Sequence, residues 1–250
     1  MAKQTGGEKM AQQKFITIYD ELKQGIFDGT YSYGDQLPSE HELVEKYHAS
    51  RETVRKALEL LANDGMIQKI RGKGSIVIDQ GMTEFPFSNL ISFKEVKEEL
   101  GLKHTTNVLL NEVIEADAVP HVKKHLNLTQ NQPLIHIVRS RSVNGIVKIL
   151  DEDYFLTSIV PSITDQVAKD SIYHYLETEL GLEISYSNKA ITFEPFTECE
   201  YDVFGKVQPP YTATVRSIVY LKDTTQFQYN VSKHLATEFK FNEFSRRHTK

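Results

Sequence analysis

Residues 50–78 read SRETVRKALELLANDGMIQKIRGKGSIVI, and the reading of this stretch decides the fold. Ser50 is a residue that caps a helix N-terminus, and Val54, Ala57, Leu58 and Leu61 follow at helical spacing, so one helix face is buried. The other face carries Arg51, Thr53, Arg55 and Lys56. Gly65 stands where a helix ends, and residues 66–70 and 75–78 then read as two short strands joined by Arg71, Gly72, Lys73 and Gly74. The stretch is therefore a helix followed by a hairpin with a cationic tip.

Between Lys46 and Lys73 seven Lys or Arg stand against three acids, a local net of +4. Cations at a helix start and at a hairpin tip suit a DNA duplex, because a helix fits the major groove while Lys, Arg and backbone amides meet phosphates. The bland reading is a solvated helix and a surface hairpin. The preceding residues weigh against it. Ser39 with Glu42 three residues on is a capping box, and Leu43, Val44 and Tyr47 supply an apolar stripe. A short helix, a tight turn at His48 and Ala49, and a longer capped helix make a helix-turn-helix. Upstream, Phe15, Ile18, Tyr19, Leu22 and Ile26 predict a further helix running to Gly29.

Leu37-Pro38-Ser39-Glu40, then residues 50–58, then residues 60–67, then Arg71-Gly72-Lys73-Gly74, form an ordered set that resembles the winged helix-turn-helix of GntR-type bacterial transcription regulators. That resemblance implies a DNA-binding surface made by Ser39, Arg51, Thr53, Arg55, Lys56, Arg71, Gly72, Lys73 and Gly74. Arg51 and Arg55 are expected at guanine edges or phosphates, Thr53 and Ser39 at phosphates, and the hairpin tip in or beside the minor groove.

The chain has 250 residues, enough for one small and one larger domain. A single cysteine, Cys199, excludes an intramolecular disulfide. No apolar run approaches the length of a membrane span and the N-terminus has no signal-peptide core, so a cytosolic protein is expected. The net charge is −5, which looks wrong for a DNA binder. Up to residue 80 there are 11 basic and 12 acidic residues, leaving 18 and 22 for the remainder. Cationic character is thus confined to the recognition surface. The expected organisation is a disordered tail over residues 1–12, a winged helix-turn-helix over 13–79, a linker over 80–90 and a second domain over 91–250.

In the second domain residues 93–100 predict a short amphipathic helix, 108–116 a strand and 120–126 a helix opened by Pro120. From Pro133 the period changes to two, with Ile135, Ile137, Arg139, Arg141 and Val143 on one face and Asn144-Gly145 as a hairpin signal. The two arginines pair with surface acids or form an anion clamp, since guanidinium forks match phosphate and carboxylate oxygens. Ser171 opens a helix either as a simple cap or as part of an anion site. Thr197 with Glu200 makes another capping box. Residues 211–221 and 227–233 read as strands joined by a turn at Asp223-Thr224, and Gln228 and His234 share a parity. The order β-α-β-β-α-β-α-β-β predicts an α+β domain with an antiparallel sheet.

This layout, with Arg139-Ser140-Arg141, Ser171-Ile172-Tyr173 and Phe239-Lys240-Phe241, resembles the effector-binding domain of the HutC-type branch of GntR regulators, whose fold is chorismate-lyase-like. Phe85-Pro86, Ser92-Phe93-Lys94-Glu95, residues 150–155, residues 223–229 and Phe244-Ser245-Arg246-Arg247 are similar to the trehalose operon repressors of Gram-positive bacteria. The resemblance implies that Arg139, Arg141, Ser171 and Tyr173, with Ser92, hold the phosphate of a small-molecule effector, trehalose 6-phosphate. Asp151, Gln228 and His234 would then meet sugar hydroxyls. Gln228 and His234 replace the Glu and Tyr frequent in relatives that bind aminosugar phosphates, so the sugar differs. For Asp151 two registers are open. A strict two-residue turn pairs Arg139 with Leu150 and turns Asp151 away, whereas a three-residue loop with a bulge pairs Arg139 with Asp151.

The implied function is a homodimeric repressor of trehalose-utilisation genes that releases double-stranded operator DNA when the effector binds, with no cofactor, metal or membrane partner. The alternatives are another phosphosugar or an organic acid as effector, or a lyase-like enzyme. Against the enzyme, the chain has no His-Glu-x-x-His or Cys-x-x-Cys cluster, no nucleophile elbow and no Walker loop.

Overall fold

The computed structural model describes residues 5–79 and 104–241. The linker over 80–90, Ser92 and the helix expected over 93–100 lie outside the described residues. The chain divides into two compact units.

The first unit contains α1 (Thr5–Phe27), α2 (Glu40–Tyr47), α3 (Arg51–Asn63) and a hairpin of β1 (Ile67–Ile70) and β2 (Gly74–Val77). The beginning of α1 corrects the expected tail, because the helix already runs from Thr5. Residues 8–14 are strong helix formers and carry the helix back from the amphipathic run to Glu8; its first turn also takes in Gly6 and Gly7, which helix propensity does not explain. Ile18, Leu22, Leu43, Val54, Leu58, Leu61 and Ile67 are almost fully buried in one core. Each such side chain stabilises the unit by about 1.5–3 kcal/mol relative to exposure. The turn between α2 and α3 passes through His48 in the left-handed region, whose carbonyl accepts a bond from Lys14 Nζ at 2.8 Å. α3 ends just before Gly65, and β1 pairs antiparallel with β2 from Ile67↔Val77 to Ile70↔Gly74. A bridge from Gln36 to Ile76 adds a third, minimal strand to the wing.

The second unit contains, in order, β3 (His104–Glu115), α4 (Pro120–His125), β4 (Pro133–Val143), β5 (Ile146–Leu156), α5 (Asp165–Lys169), α6 (Ile172–Thr178), β6 (Ile184–Pro195), α7 (Glu198–Phe204), β7 (Tyr211–Leu221) and β8 (Gln226–Leu235). The strands form one antiparallel sheet in the order β3-β4-β5-β8-β7-β6. The short helix α5 is an addition to the expected order. On one sheet face Ile135, Ile137, Phe155 and Phe227 pack with Ala168 of α5 and Ile172 and Leu176 of α6. On the other, Leu134, Tyr154, Tyr229 and Val231 pack with Val122 of α4 and with Leu126.

The β4–β5 turn settles the Asp151 register. Asn144 and Gly145 have φ of 51° and 80°, as a tight two-residue turn of the primed kind requires. Pairing begins with Val143↔Ile146 and Ser142↔Val147, but then resumes at Arg141↔Ile149, so Lys148 is an extra residue on β5. Arg139 therefore pairs with Asp151. The tight turn is kept, and the bulge lies within the strand rather than in the loop.

Candidate functional site

In the first unit Ser39 caps α2 with both halves of the capping box in place. Its backbone N–H donates to Glu42 Oε2 at 2.8 Å, and its Oγ accepts from Glu42 N–H at 3.3 Å. Ser50 caps α3 by accepting from Thr53 N–H at 3.1 Å, and its Oγ is 2.8 Å from Thr53 Oγ1. Arg51, Arg55 and Lys56 stand exposed on α3, and Arg71, Gly72, Lys73 and Gly74 are exposed at the wing tip. Arg55 meets Glu40 at 3.8 Å and Lys56 meets Glu52 at 3.8 Å, both in solvent. Such exposed pairs are worth about 0–1 kcal/mol and yield readily to phosphate. Thr53 is a correction: it belongs to the buried side of α3, only 8% exposed, not to the cationic face. It adjoins Val54 and stands one turn before Ala57, and its hydroxyl is engaged by the cap.

In the second unit the period-two pattern of β4 sends Arg139 and Arg141 to the face covered by α5 and α6. Both are buried, together with Asp151 and Asp153 of β5. Each guanidinium reaches the carboxylate diagonally across the ladder. Arg139 Nη2 is 2.6 Å from Asp153 Oδ2, and Arg141 Nε is 2.5 Å from Asp151 Oδ2. Arg139 Nη1 also donates to the carbonyl of Ala168 at 3.2 Å. Arg139 Nε is buried and has no hydrogen-bond partner in the described structure. Burial disfavours the Arg139 charge, but Asp153 and Asp151 outweigh it and raise its pKa. For Arg141 burial, helped by the neighbouring Arg139 charge, wins over Asp151 and lowers it. Burial likewise works against the Asp151 carboxylate, yet the two guanidiniums and Ser232 hold it below the usual range.

β8 completes this face. Gln228 Nε2 and Asn230 Nδ2 donate to Asp153 Oδ1 at 2.8 and 2.9 Å. Ser232 Oγ donates to Asp151 Oδ1 at 2.5 Å and lies 2.9 Å from His234 Nε2. Tyr173, on α6, donates to Gln228 Oε1 at 2.9 Å, and burial pushes its phenol pKa up. Ser171 is buried and caps α6 by accepting from His174 N–H at 3.2 Å. Burial pushes the His234 imidazole down to about 4, against Asp151, which acts to raise it.

Of the residues expected at an effector, Arg139, Gln228 and Tyr173 thus gather around Asp153, and Arg141 and His234 around Asp151, in two adjacent bonded groups on one sheet face. Ser171 opens the helix that carries Tyr173. The sequence reading missed Asp153, Asn230 and Ser232. Their signal was available as parity: Asp153 is two residues from Asp151, and Asn230 and Ser232 fill the alternate positions between Gln228 and His234. Among the described residues no group of His, Cys, Asp and Glu is arranged to hold a metal ion, and no helix is long and apolar enough to cross a membrane.

Two family profiles match. Residues 16–77 match bacterial regulatory proteins, gntR family, and residues 99–240 match the UTRA domain. The chain is 42% identical over 238 residues to the HTH-type transcriptional regulator TreR of Bacillus subtilis, covering 95% of this chain and 99% of that one. The structure of the B. subtilis trehalose repressor (TreR) effector binding domain matches at 34% identity with a TM-score of 0.53, over 58% of this chain and 99% of that one. The crystal structure of the possible transcriptional regulator YydK from B. subtilis matches with a TM-score of 0.77 over 93% of this chain and 99% of that one; at 24% identity it speaks for the fold.

Proposed function

The chain belongs to the gntR family of bacterial transcription regulators, with a UTRA domain behind its winged helix-turn-helix, and from that premise we propose that it is a homodimeric repressor of trehalose-utilisation genes released from its operator by trehalose 6-phosphate. The observation that carries the effector reading is the buried polar face of the second unit. Two guanidiniums, two carboxylates, two amides, a serine and a histidine are gathered where a core would otherwise be apolar. Such a concentration of directional groups suits a small ligand that is both polyhydroxylated and anionic. Arg139 Nε, buried and lacking an acceptor in the described structure, is suited to an anion oxygen. The 42% identity to TreR supports trehalose metabolism as the regulated process.

In this reading a dimer places two α3 helices in successive major grooves, with half-sites roughly ten base pairs or a multiple apart. Arg51 and Arg55 meet base edges or phosphates, while the wing tip follows the minor groove. Effector binding favours an arrangement of the DNA-binding units that no longer matches the half-site spacing. This requires the effector to bind that arrangement more tightly than the operator-bound one.

The test is a fluorescence-anisotropy titration of the full chain on its own upstream DNA at fixed salt, with and without trehalose 6-phosphate. Release by the sugar phosphate but not by free trehalose is the expected result. DNA binding with no release by trehalose 6-phosphate refutes that effector and turns the search to other phosphosugars and to organic acids that two arginines can hold.

A further inference from the structure

The charges on the buried polar face of the second unit cancel. Arg139 and Arg141 keep their protons at any ordinary pH. Asp153 lies 2.6 Å from Arg139 and Asp151 2.5 Å from Arg141, and all four side chains are at most 9% exposed. Burial works against the Asp151 carboxylate, but the two guanidiniums hold it ionised. Two positive and two negative charges therefore sum to zero. The surrounding elements leave that sum unchanged among the described residues. Burial pushes the His234 imidazole on β8 down to about 4, so it is neutral near pH 7, and burial pushes the Tyr173 phenol on α6 up. The ionisable side chains of α5 and α6, Asp165, Lys169, His174 and Glu177, are exposed, as are Asp170 between them and Lys189 on β6. Beyond β8, Glu238 is paired with Lys148. Beside the two arginines β3 sets Val108 and Thr106, and β7 offers Ala213, Val215 and Ser217 to β8.

Arg139 Nε, buried and without a hydrogen-bond partner in the described structure, gives an incoming anion a donor to meet. The anion's oxygens then approach carboxylates that already hold the guanidiniums, and in a buried site such like charges repel strongly. A phosphate monoester is mainly a dianion above about pH 6. Entering as a dianion, it would leave the buried group with two uncompensated negative charges. One proton between a phosphoryl oxygen and a carboxylate halves that charge and turns a repulsive contact into a charge-assisted hydrogen bond. We propose that the phosphoryl group of the effector enters this cluster as a monoanion, with one proton shared between it and a β5 carboxylate, so that effector affinity falls as pH rises. The inference rests on the effector reading above and adds to it the protonation state of the ligand and a pH dependence of induction. Asp151 and Asp153 then set the charge of the anion that the arginines can take.

The experiment is calorimetry of trehalose 6-phosphate binding to the full chain in two buffers of different ionisation enthalpy, repeated from about pH 7 to about pH 8.5. Uptake of about one proton per bound effector is expected, with affinity falling about tenfold per pH unit, because the free ester is a dianion over that range. Trehalose 6-sulfate, a monoanion with no proton to share, is expected to show neither the uptake nor the slope. Asp153→Asn leaves the cluster with one net positive charge, so the dianion fits and proton uptake should fall by more than half; thermal melting and operator binding show whether this variant folds. If it does not, the two esters on wild type decide. Trehalose 6-phosphate binding without proton uptake and with unchanged affinity across the range overturns the inference. So does equal uptake with the sulfate ester, which places the proton on a protein group instead of the ligand, and so does a folded Asp153→Asn protein that takes up protons like wild type. Wild type that gives no binding heat with trehalose 6-phosphate at any pH overturns the effector reading itself, a result distinct from binding without proton uptake.

Discussion

The Arg139–Asp153 pair should respond asymmetrically to loss of either partner. The two side chains are 7% and 2% exposed. Breaking a buried ion pair by removing one partner costs about 3–5 kcal/mol, because a charge is left uncompensated. Asp153→Ala belongs at the upper end of that range. Arg139 then keeps the Ala168 carbonyl as a hydrogen-bond partner and only the shared Asp151 charge for compensation, it cannot shed its proton, and the amides of Gln228 and Asn230 lose their acceptor as well. Arg139→Met is milder, about 2–3 kcal/mol. Asp153 retains both amide donors, and the methionine fills the space of the arginine stem. The double substitution Arg139→Met with Asp153→Leu should recover to within about 2 kcal/mol of wild type, since an apolar replacement removes both desolvation costs. Urea unfolding followed by tyrosine fluorescence and circular dichroism gives the cycle; the chain has 12 tyrosines and no tryptophan, so tyrosine reports without interference. An Arg139→Met protein as unstable as Asp153→Ala, or a double variant worse than both single ones, refutes the assignment of Asp153 as a three-donor hub.

Other outcomes are expected of the same molecule. Arg51→Ala should lower operator affinity by about 1–3 kcal/mol if the guanidinium makes a bidentate base contact, and anisotropy at fixed salt would drop it from the interface if affinity is unchanged. Gly74→Ala should destabilise the wing by about 1 kcal/mol or more, because φ is +84° and an added Cβ would lie 2.9 Å from Gln36 Nε2; an unshifted melting curve of the first unit refutes this. Removing the α3 cap with Ser50→Ala should cost about 1 kcal/mol in the same measurement. The His234 pKa is depressed in the folded chain, so its contribution to stability is full above about pH 6.5 and is lost as pH falls toward about 4. His234→Gln should flatten the pH dependence of unfolding in that window, and an unchanged slope would argue against a buried neutral imidazole.

How far each site could be read in advance depended on the range of the interactions that make it. α3 and its wing rest on contacts between near neighbours: the cap at Ser50, the stripe of Val54, Ala57, Leu58 and Leu61, and the glycines around a four-residue turn. Each of these is a local rule, so the cationic surface came with the helix. Thr53 escaped because a residue beside the stripe is buried or exposed according to what packs there, and the Ser50 hydroxyl captured it. Residues 8–12 escaped because their polarity was read as disorder where helix propensity prevailed.

The sequence by itself determined the two domains, the helix-turn-helix and wing, the antiparallel order of the second domain and the shared parity of Arg139 and Arg141. Only the tertiary structure decided that Asp151 faces them, because a single bulged residue, Lys148, reverses the side of every residue that follows it on β5, and no local preference fixes where along a strand the bulge falls. It also decided that Asp153, Asn230 and Ser232 join the buried polar groups around Arg139 and Arg141. Their partners stand on strands distant in the chain, about 75 residues away for Gln228 and Asp153, and such pairs exist only once the sheet has assembled and water has left the space between them.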